Sequence, residues 1–285
     1  ADELTKLANH AMAIPPLDIA VKTDVSFWAA RLGGQVLNSQ IVRCPNLGDI
    51  RALPGYDEGA WWVQDVAAAL PVQLLTAANN GSLTGKFVLD LCAAPGGKTA
   101  QLAAAGAEIC AVEKDPARLS LLRDNLNRLS LSADIIEANI LDFTPARQAD
   151  HIILDAPCSA TGTFRRHPDI FLRKKGLNLR RLQQTQIDLL KASLNWIKDD
   201  GTFIYITCSL QPEEGEEVVQ TVLTEGYARL LPFSVEELGI FSRALHPKGW
   251  ARILPSCLDH INAGNEQIGT GCDGFFIARL QPVRS

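Results

Sequence analysis

The sequence contains no hydrophobic run long enough to cross a membrane. Its longest apolar stretches, such as 87–91 and 203–206, have the length of a β-strand, whereas a membrane helix needs roughly 18 residues. The first residues are polar and amphipathic and do not form a secretion signal. No internal repeat or low-complexity tract is present. These absences favour a cytoplasmic globular protein without a membrane partner.

Cysteines with the spacing of a metal site or a disulfide framework are also missing. The seven cysteines are odd in number, and no two of them form a C-x-x-C motif. We therefore expect neither structural disulfides nor a metal site. Most of these thiols are expected to be reduced and buried.

An excess of positive charge is also lacking, because 27 Lys and Arg residues stand against 32 Asp and Glu residues and the formal net charge is −5. That balance argues weakly against a nucleic-acid partner, but binding follows local charge rather than the sum. The basic segment, 165–181, carries seven Lys and Arg residues against one acid, Asp169. Such a run is either a solvated helix face or an RNA contact, and the run by itself favours neither.

Strand and helix patterns alternate along most of the chain. Beyond residue 80, strands are predicted at 87–91, 108–112, 134–137, 151–154, 202–207 and 275–280, with helices from 99, at 116–128, at 182–196 and from 212. This alternation predicts a mostly parallel sheet with helices on both faces. Residues 1–75 read as a smaller α/β unit, with strands at 17–21 and 36–42 and helices after Asp24 and at 64–75. The stretch 256–272 is expected to be a mobile loop.

The first strand of the larger unit ends in a loop that contains two glycines. Its residues are Cys92, Ala93, Ala94, Pro95, Gly96, Gly97 and Lys98. Glycines between a strand and a helix let backbone amides approach a ligand closely. A P-loop would need glycine where Cys92 stands, and G-x-G-x-x-G does not fit. Glu113 ends the next strand, where an acid accepts hydrogen bonds from ribose hydroxyls. The combination favours a Rossmann-type S-adenosylmethionine site.

Two cysteines follow the ends of later strands. Cys158 comes after Asp155-Ala-Pro, and Cys208 follows Thr207. Open parallel sheets bind ligands beyond the carboxyl ends of their strands, so both thiols are expected beside the cofactor. Carbon 5 of cytosine is a poor nucleophile, and thiolate attack at carbon 6 turns the ring into an enamine that can accept a methyl group. An acid at N3 helps this addition, and Asp155 is placed for it. The pattern leaves open which thiol attacks.

These motifs resemble the Sun/Fmu-type family of RNA cytosine-5 methyltransferases, especially its bacterial members that modify small-subunit ribosomal RNA. The matching stretches are 92–98, 155–159, 165–169, 207–209, 212–214 and 273–276, with 53–55, Gly59 and 63–65 upstream. The resemblance implies a Rossmann-like class I S-adenosylmethionine-dependent methyltransferase domain at 76–285. A small RNA-recognition-like α/β domain would precede it at 1–75. Relatives often carry a helical domain like that of the antitermination factor NusB, and no stretch of these 285 residues resembles it.

The resemblance also implies roles for individual residues. Cys208 would be the nucleophile and Cys158 would help to release the product. Residues 92–98, Glu113 and Asp155 would contact S-adenosylmethionine or the target base. Asn139 stands where the family commonly has an acid, and its side-chain oxygen would bind the adenine amino group. Arg165 and Arg166, which follow the catalytic turn, would contact RNA phosphates.

We therefore expect a monomeric, metal-free enzyme that methylates carbon 5 of a cytosine in RNA through a covalent cysteine–C6 adduct. Small-subunit ribosomal RNA is the favoured substrate, and S-adenosylmethionine is the methyl donor. Methylation of another RNA such as tRNA, or a non-catalytic RNA-binding factor, remains as the alternative. A DNA cytosine methyltransferase is disfavoured because its glutamate-containing partner motif is not visible. Amino-methylating enzymes favour an aromatic residue after Asp/Asn-Pro-Pro, which Asp155-Ala-Pro-Cys158 does not match.

Overall fold

A computed structural model describes residues 2–45, 47–173, 176–261 and 269–284. The helices are α1 (Glu3–Met12), α2 (Val25–Leu32), α3 (Val66–Ala78), α4 (Gly97–Ala104), α5 (Pro116–Arg128), α6 (Ile170–Arg173), α7 (Leu179–Leu194), α8 (Glu216–Thr224) and α9 (Val235–Leu238). The strands are β1 (Leu17–Val21), β2 (Gln35–Val36), β3 (Ile41–Cys44), β4 (Trp61–Val63), β5 (Phe87–Leu91), β6 (Glu108–Glu113), β7 (Asp134–Glu137), β8 (Ala149–Asp155), β9 (Ile197–Thr207), β10 (Ala228–Leu230), β11 (Ala251–Ile253) and β12 (Phe275–Pro282). Within these ranges, every helix is too short or too polar to span a bilayer.

The large sheet has the strand order β10-β12-β9-β8-β5-β6-β7, and β11 pairs with β12 outside this row. Strands β5 to β9 are parallel, and β12 runs antiparallel to β9. Alternate residues of one strand face opposite layers: Val88 packs with α3, α4 and α5, while Leu89 packs with α7 and α8. Because helices cover both faces, the central strands are mostly apolar. The predicted fold class is confirmed.

The chain order reverses at β5, which lies between β6 and β8. A crevice opens at such a point because the connections leave β5 and β8 in opposite directions. The loop after β5 and the turn after β8 therefore meet at the carboxyl edge of the sheet. This edge is where the predicted catalytic residues lie.

The small sheet is antiparallel, with the strand order β2-β3-β1-β4. Helix α2 covers one of its faces and α3 the other. A buried ion pair links Arg43 to Asp18, with Nε–Oδ1 2.7 Å apart, and Asp18 also accepts the Val66 amide at the start of α3. The small sheet is thus attached to the first turn of α3. The predicted boundary at 75/76 lies within α3, and the division into two domains stays a prediction.

Three local predictions differ from the structure. The predicted strand 36–42 is wrong, because the Asn38 side chain accepts the Gln40 and Ile41 amides and folds the chain into the β2–β3 hairpin. The helix predicted from 212 begins only at Glu216, after a 3₁₀ turn at Pro212–Glu214. The predicted loop 256–272 starts inside a 3₁₀ turn, Pro255–Leu258, and its residues 262–268 lie outside the described residues.

Candidate active site

A cleft of about 420 Å³ opens at the carboxyl ends of β5, β8 and β9. Its volume is in the range typical of small-molecule sites. Of the predicted residues, those that line it are Cys92, Ala93, Ala94, Pro95, Gly96, Gly97, Lys98, Asp155, Arg166 and Cys208. The tertiary fold therefore brings the predicted cofactor loop, one of the two thiols and the predicted acid to one place.

The loop after β5 owes its shape to two left-handed residues. Cys92 has φ of 61° and Gly96 has φ of 104°. A Cβ on Gly96 would lie 2.6 Å from the Leu122 side chain, so glycine allows α5 to close on the loop. Helix α4 starts at Gly97, and its first amides, which have no partner within the helix, lie at the cleft. This arrangement suits a polar or anionic part of a ligand.

Asp90 was missed as a site residue by the sequence analysis, although an acid inside the apolar strand β5 was a usable signal. Its Oδ2 accepts the Thr99 hydroxyl at 2.6 Å. Its Oδ1 is buried and has no hydrogen-bond partner among the described residues, and the side chain borders the cleft. Burial raises the pKa of Asp90 to about 6. An orphaned buried acceptor calls for a donor from a ligand, and the ammonium of S-adenosylmethionine fits that need.

Glu113 and Asn139 do not line the cleft in the described structure. Glu113 ends β6 and is buried; its Oε1 accepts the Lys114 and Asp115 amides, and its Oε2 lies 3.1 Å from Nη1 of Arg118. Arg118 itself borders the cleft. Asn139 is exposed and caps the 3₁₀ turn Ile140–Asp142. Their predicted contacts with ribose and adenine stay predictions.

Two thiols meet at the cleft. The Sγ atoms of Cys158 and Cys208 are 3.5 Å apart. Cys208 lines the cleft, whereas Cys158 is not among the described residues that do. The hydrogen bond to Cys208, followed by burial, raises the pKa of Cys158 well above its usual value. Cys158 therefore holds its proton beside the sulfur that lines the cleft.

A lysine–aspartate pair stands next to Cys208. Lys98 Nζ lies 2.7 Å from Asp155 Oδ2 and 5.6 Å from the Phe275 ring centroid. Burial lowers the pKa of Lys98, but the charges of Asp155, Asp90 and a Cys208 thiolate outweigh burial and raise it. Lys98 is therefore a stable cation that attracts an anion on Cys208.

The two arginines predicted to contact RNA differ in position. Arg165 is buried; its Nη1 donates to the Thr270 carbonyl, and its Nη2 lies 3.6 Å from Asp65 Oδ2. The guanidinium of Arg165 cannot reach a phosphate from there, because its side chain is only 2% exposed. Arg166 pairs with the buried Asp273, yet its side chain is 42% exposed and borders the cleft. We therefore correct the predicted phosphate contact to Arg166 alone.

The strand order with an antiparallel β12 beside β9, together with the glycine-containing loop after β5, defines a class I S-adenosylmethionine-dependent methyltransferase. The chain belongs to the family described as 16S rRNA methyltransferase RsmB/F, whose sequence profile matches residues 80–281. Members of this family use S-adenosylmethionine. The expected family, fold and cofactor are confirmed. Groups of His, Cys, Asp or Glu that could hold a metal are absent from the described ranges.

Relatives carry a consistent name. The chain is 40% identical over 188 residues to ribosomal RNA small subunit methyltransferase B of Cronobacter sakazakii, covering 64% of the chain and 43% of the relative. Its counterpart from Shewanella oneidensis is 36% identical over 237 residues, covering 81% and 50%. The chain thus spans about half the length of these curated relatives. A solved methyltransferase homolog from Pyrococcus horikoshii has a TM-score of 0.72 and 26% identity, covering 98% of this chain and 90% of that one.

Proposed function

We propose that this chain transfers a methyl group from S-adenosylmethionine to carbon 5 of a cytosine in small-subunit ribosomal RNA, with Cys208 as the nucleophile. The observation that carries the proposal is the Cys158–Cys208 pair, whose Sγ atoms are 3.5 Å apart, next to the Lys98–Asp155 pair. The names of the relatives support the substrate. We propose further that the chain acts as a monomer in the cytoplasm, without a metal, and that residues 1–75 form a separate RNA-contacting domain.

The cofactor would be held by the loop 92–98, by Asp90 and, through its ribose, by Glu113. Asn139 is proposed to contact the adenine. Bound S-adenosylmethionine supplies an electrophilic methyl group. The chain's own residues must then make carbon 5 of the target cytosine nucleophilic.

The Cys208 thiolate attacks carbon 6 of the cytosine and forms an S–C6 bond. The displaced electron pair moves onto the ring toward N3, where the Asp155–Lys98 pair supplies a hydrogen bond and a proton. Carbon 5 of the resulting enamine then accepts the methyl group. A base removes the proton from carbon 5, N3 returns its proton to the Asp155–Lys98 pair, the C5–C6 double bond re-forms, and the S–C6 bond breaks. The Cys158 thiol, 3.5 Å from the departing sulfur, stabilises it by a hydrogen bond.

The proposal is tested by methylation of defined RNAs with the purified chain and labelled S-adenosylmethionine, followed by bisulfite mapping of 5-methylcytosine. We expect label in a small-subunit ribosomal RNA transcript at one cytosine. Label in tRNA alone would overturn the substrate, and RNA binding without label would favour the non-catalytic alternative. If label is incorporated but bisulfite mapping finds no 5-methylcytosine, carbon 5 is not the acceptor and that part of the proposal is overturned.

Replacing Arg166 with glutamine is expected to weaken RNA binding and to flatten its salt dependence. One lost contact to a single-stranded phosphate lowers the slope of log K against log salt by about 0.7. The measurement is fluorescence anisotropy across a salt series, with melting temperatures as a check because Asp273 loses its cation. Arg229→Gln is the control, since Arg229 on the edge strand β10 is exposed and donates to Gln281 of β12. An unchanged slope for Arg166→Gln would contradict the predicted contact.

A further inference from the structure

One carboxylate lies behind both thiols and has no part in the proposed reaction. Glu214 is fully buried at the end of the 3₁₀ turn Pro212–Glu214. Its Oε1 accepts the backbone amide of Ser159 at 2.8 Å and Nε2 of Gln186 at 3.1 Å. Its Oε2 accepts the hydroxyls of Ser159 and Ser209, each at 2.5 Å. Glu214 thus joins two turns that are far apart in sequence.

The joined residues are the immediate neighbours of the two thiols. Ser159 follows Cys158, and Ser209 follows Cys208. Their hydroxyls lie 3.1 Å apart. The Thr161 hydroxyl is 3.3 Å from each of them and accepts the Leu210 amide. The two cysteine turns therefore share one hydrogen-bond network with the Glu214 carboxylate at its centre.

The donors to this carboxylate are neutral, and the described residues include no ion pair to Glu214. A buried charge without a cation is costly unless several hydrogen bonds satisfy it. A neutral apolar side chain would fill the same space without that cost, but it could not hold both turns. A carboxylate with two acceptor oxygens binds all the donors at once, whereas an amide has only one acceptor oxygen.

A second contact fixes the Cys208 turn from the opposite side. The Gly162 amide donates to the Cys208 carbonyl, and the Gly274 amide donates to the Gly162 carbonyl, both at 2.9 Å. A Cβ on Gly162 would lie 2.1 Å from the Gly274 carbonyl oxygen, so only glycine fits. The backbone of Cys208 is held by Gly162, and the residue after it is held by Glu214. The separation of the two sulfurs then depends on both contacts.

We propose that Glu214 is a positioning residue, which sets the distance between the Cys158 and Cys208 thiols and places a negative charge behind the Cys158 turn. The inference rests on the proposed function, because the separation of the two thiols affects the rate only if both take part in the proposed reaction. The geometry is supported by electrostatics: after the Cys208 hydrogen bond, burial and the Cys208 charge, the Glu214 charge contributes to the raised pKa of Cys158. Neither effect requires Glu214 to touch RNA or cofactor.

The test compares Glu214→Gln with Glu217→Gln, a control on the same segment whose exposed carboxylate accepts only from Gln183 among its described side-chain contacts. A misplacement of about 1 Å costs on the order of 100-fold in rate, so single-turnover methylation should fall about that much for Glu214→Gln. S-adenosylmethionine affinity should stay within about twofold of wild type. Wild-type methylation rates in Glu214→Gln would overturn the proposal.

A second readout needs no RNA and therefore separates this inference from the proposed function. Iodoacetamide alkylates the thiolate form of cysteine, and its reaction with Cys158 is followed by mass spectrometry from pH 6 to 10. Loss of the Glu214 charge should move the Cys158 profile to lower pH, which a merely structural role would not do. If wild-type chain methylates no RNA but the profile moves, the proposed function fails and the positioning role stands. An unmoved profile overturns the role.

Folding of the variants is checked by melting. If Glu214→Gln does not fold, Ser209→Ala removes a single donor to the carboxylate and leaves the charge in place. Its methylation rate should fall by about tenfold, because the Cys208 turn loses one anchor. A wild-type rate in folded Ser209→Ala would then overturn the proposal.

Discussion

Replacing Cys208 with serine is expected to abolish methyl transfer and to remove every covalent adduct between protein and RNA. A serine hydroxyl at this position is not ionised near neutral pH and cannot add to carbon 6. Cys208 lines the cleft together with Lys98 and Asp155. Among the described residues, the other thiol that lines the cleft is Cys92, which lies in the loop 92–98. Adducts are measured as RNA-bound protein on denaturing gels.

The partner variant, Cys158→Ser, should have the opposite effect on the adduct. The Cys158 Sγ lies 3.5 Å from the Cys208 sulfur, and in the proposed reaction its thiol donates a hydrogen bond to the departing sulfur rather than attacking the base. Without it the S–C6 bond breaks slowly, and the adduct accumulates while methylated product falls. On the same gel, the amount of adduct should therefore fall for Cys208→Ser and rise for Cys158→Ser.

The test also has a matched control and an outcome that would contradict the assignment of the two thiols. Cys257→Ser changes a thiol on the 3₁₀ turn Pro255–Leu258, remote from the cleft lining, and should leave adduct and product unchanged. If Cys158→Ser lost the adduct while Cys208→Ser kept it, the roles of the two thiols would be reversed.

Replacing Asp155 with asparagine is expected to slow methylation by roughly 100- to 10,000-fold, the usual contribution of a positioned proton donor. Asparagine keeps the shape of the side chain but cannot pass a proton to N3 of the base. It also removes the negative charge that pairs with the buried Lys98, whose Nζ lies 2.7 Å from Asp155 Oδ2. The rate is measured under single-turnover conditions with labelled S-adenosylmethionine.

The same strand offers a control for Asp155→Asn. Asp150 lies at the opposite end of β8, where it accepts the Phe87 amide and pairs with Lys198. Asp150→Asn should leave the rate within about twofold, because it is remote from the cleft. Calorimetry should show S-adenosylmethionine binding by Asp155→Asn within about threefold of wild type. A rate loss explained wholly by lost cofactor binding would mean that Asp155 serves the cofactor rather than the base.

The sequence predicted most of the large sheet because its strands are buried on both faces. Strand β5 was predicted at the observed bounds, 87–91, from an apolar run. The predicted strand at 202–207 was too short, since β9 starts at Ile197 with the polar stretch 198–200 at its exposed end. Strands β10 and β11, of three residues each, escaped prediction altogether. Their formation depends on pairing with β12, a long-range contact that leaves no local pattern.

The candidate site divides in the same way. Local sequence was enough for the loop 92–98, whose glycines and position after a strand predicted a ligand-binding turn. Asp90, Arg118 and Asp65 line the cleft too; apart from the signal of an acid in the apolar strand β5, their position there follows from packing between distant segments. The Arg165 assignment was wrong as a phosphate contact, because charge density along 165–181 says nothing about which side chain turns inward.

The sequence by itself determined the α/β class, the family, the glycine-containing loop after β5 and the presence of a thiol at the ends of two strands. These features follow from periodicity and from short motifs, which depend on neighbouring residues. Only the tertiary structure decided that Cys208 lines the cleft with Cys158 beside it, that Arg165 is buried while Arg166 borders the cleft, and that Glu214 joins the two cysteine turns. The contacts responsible link residues 50, 55, 105 and 107 positions apart along the chain. Contacts at such separations arise only when the strands are assembled into the sheet, so no local pattern carries them.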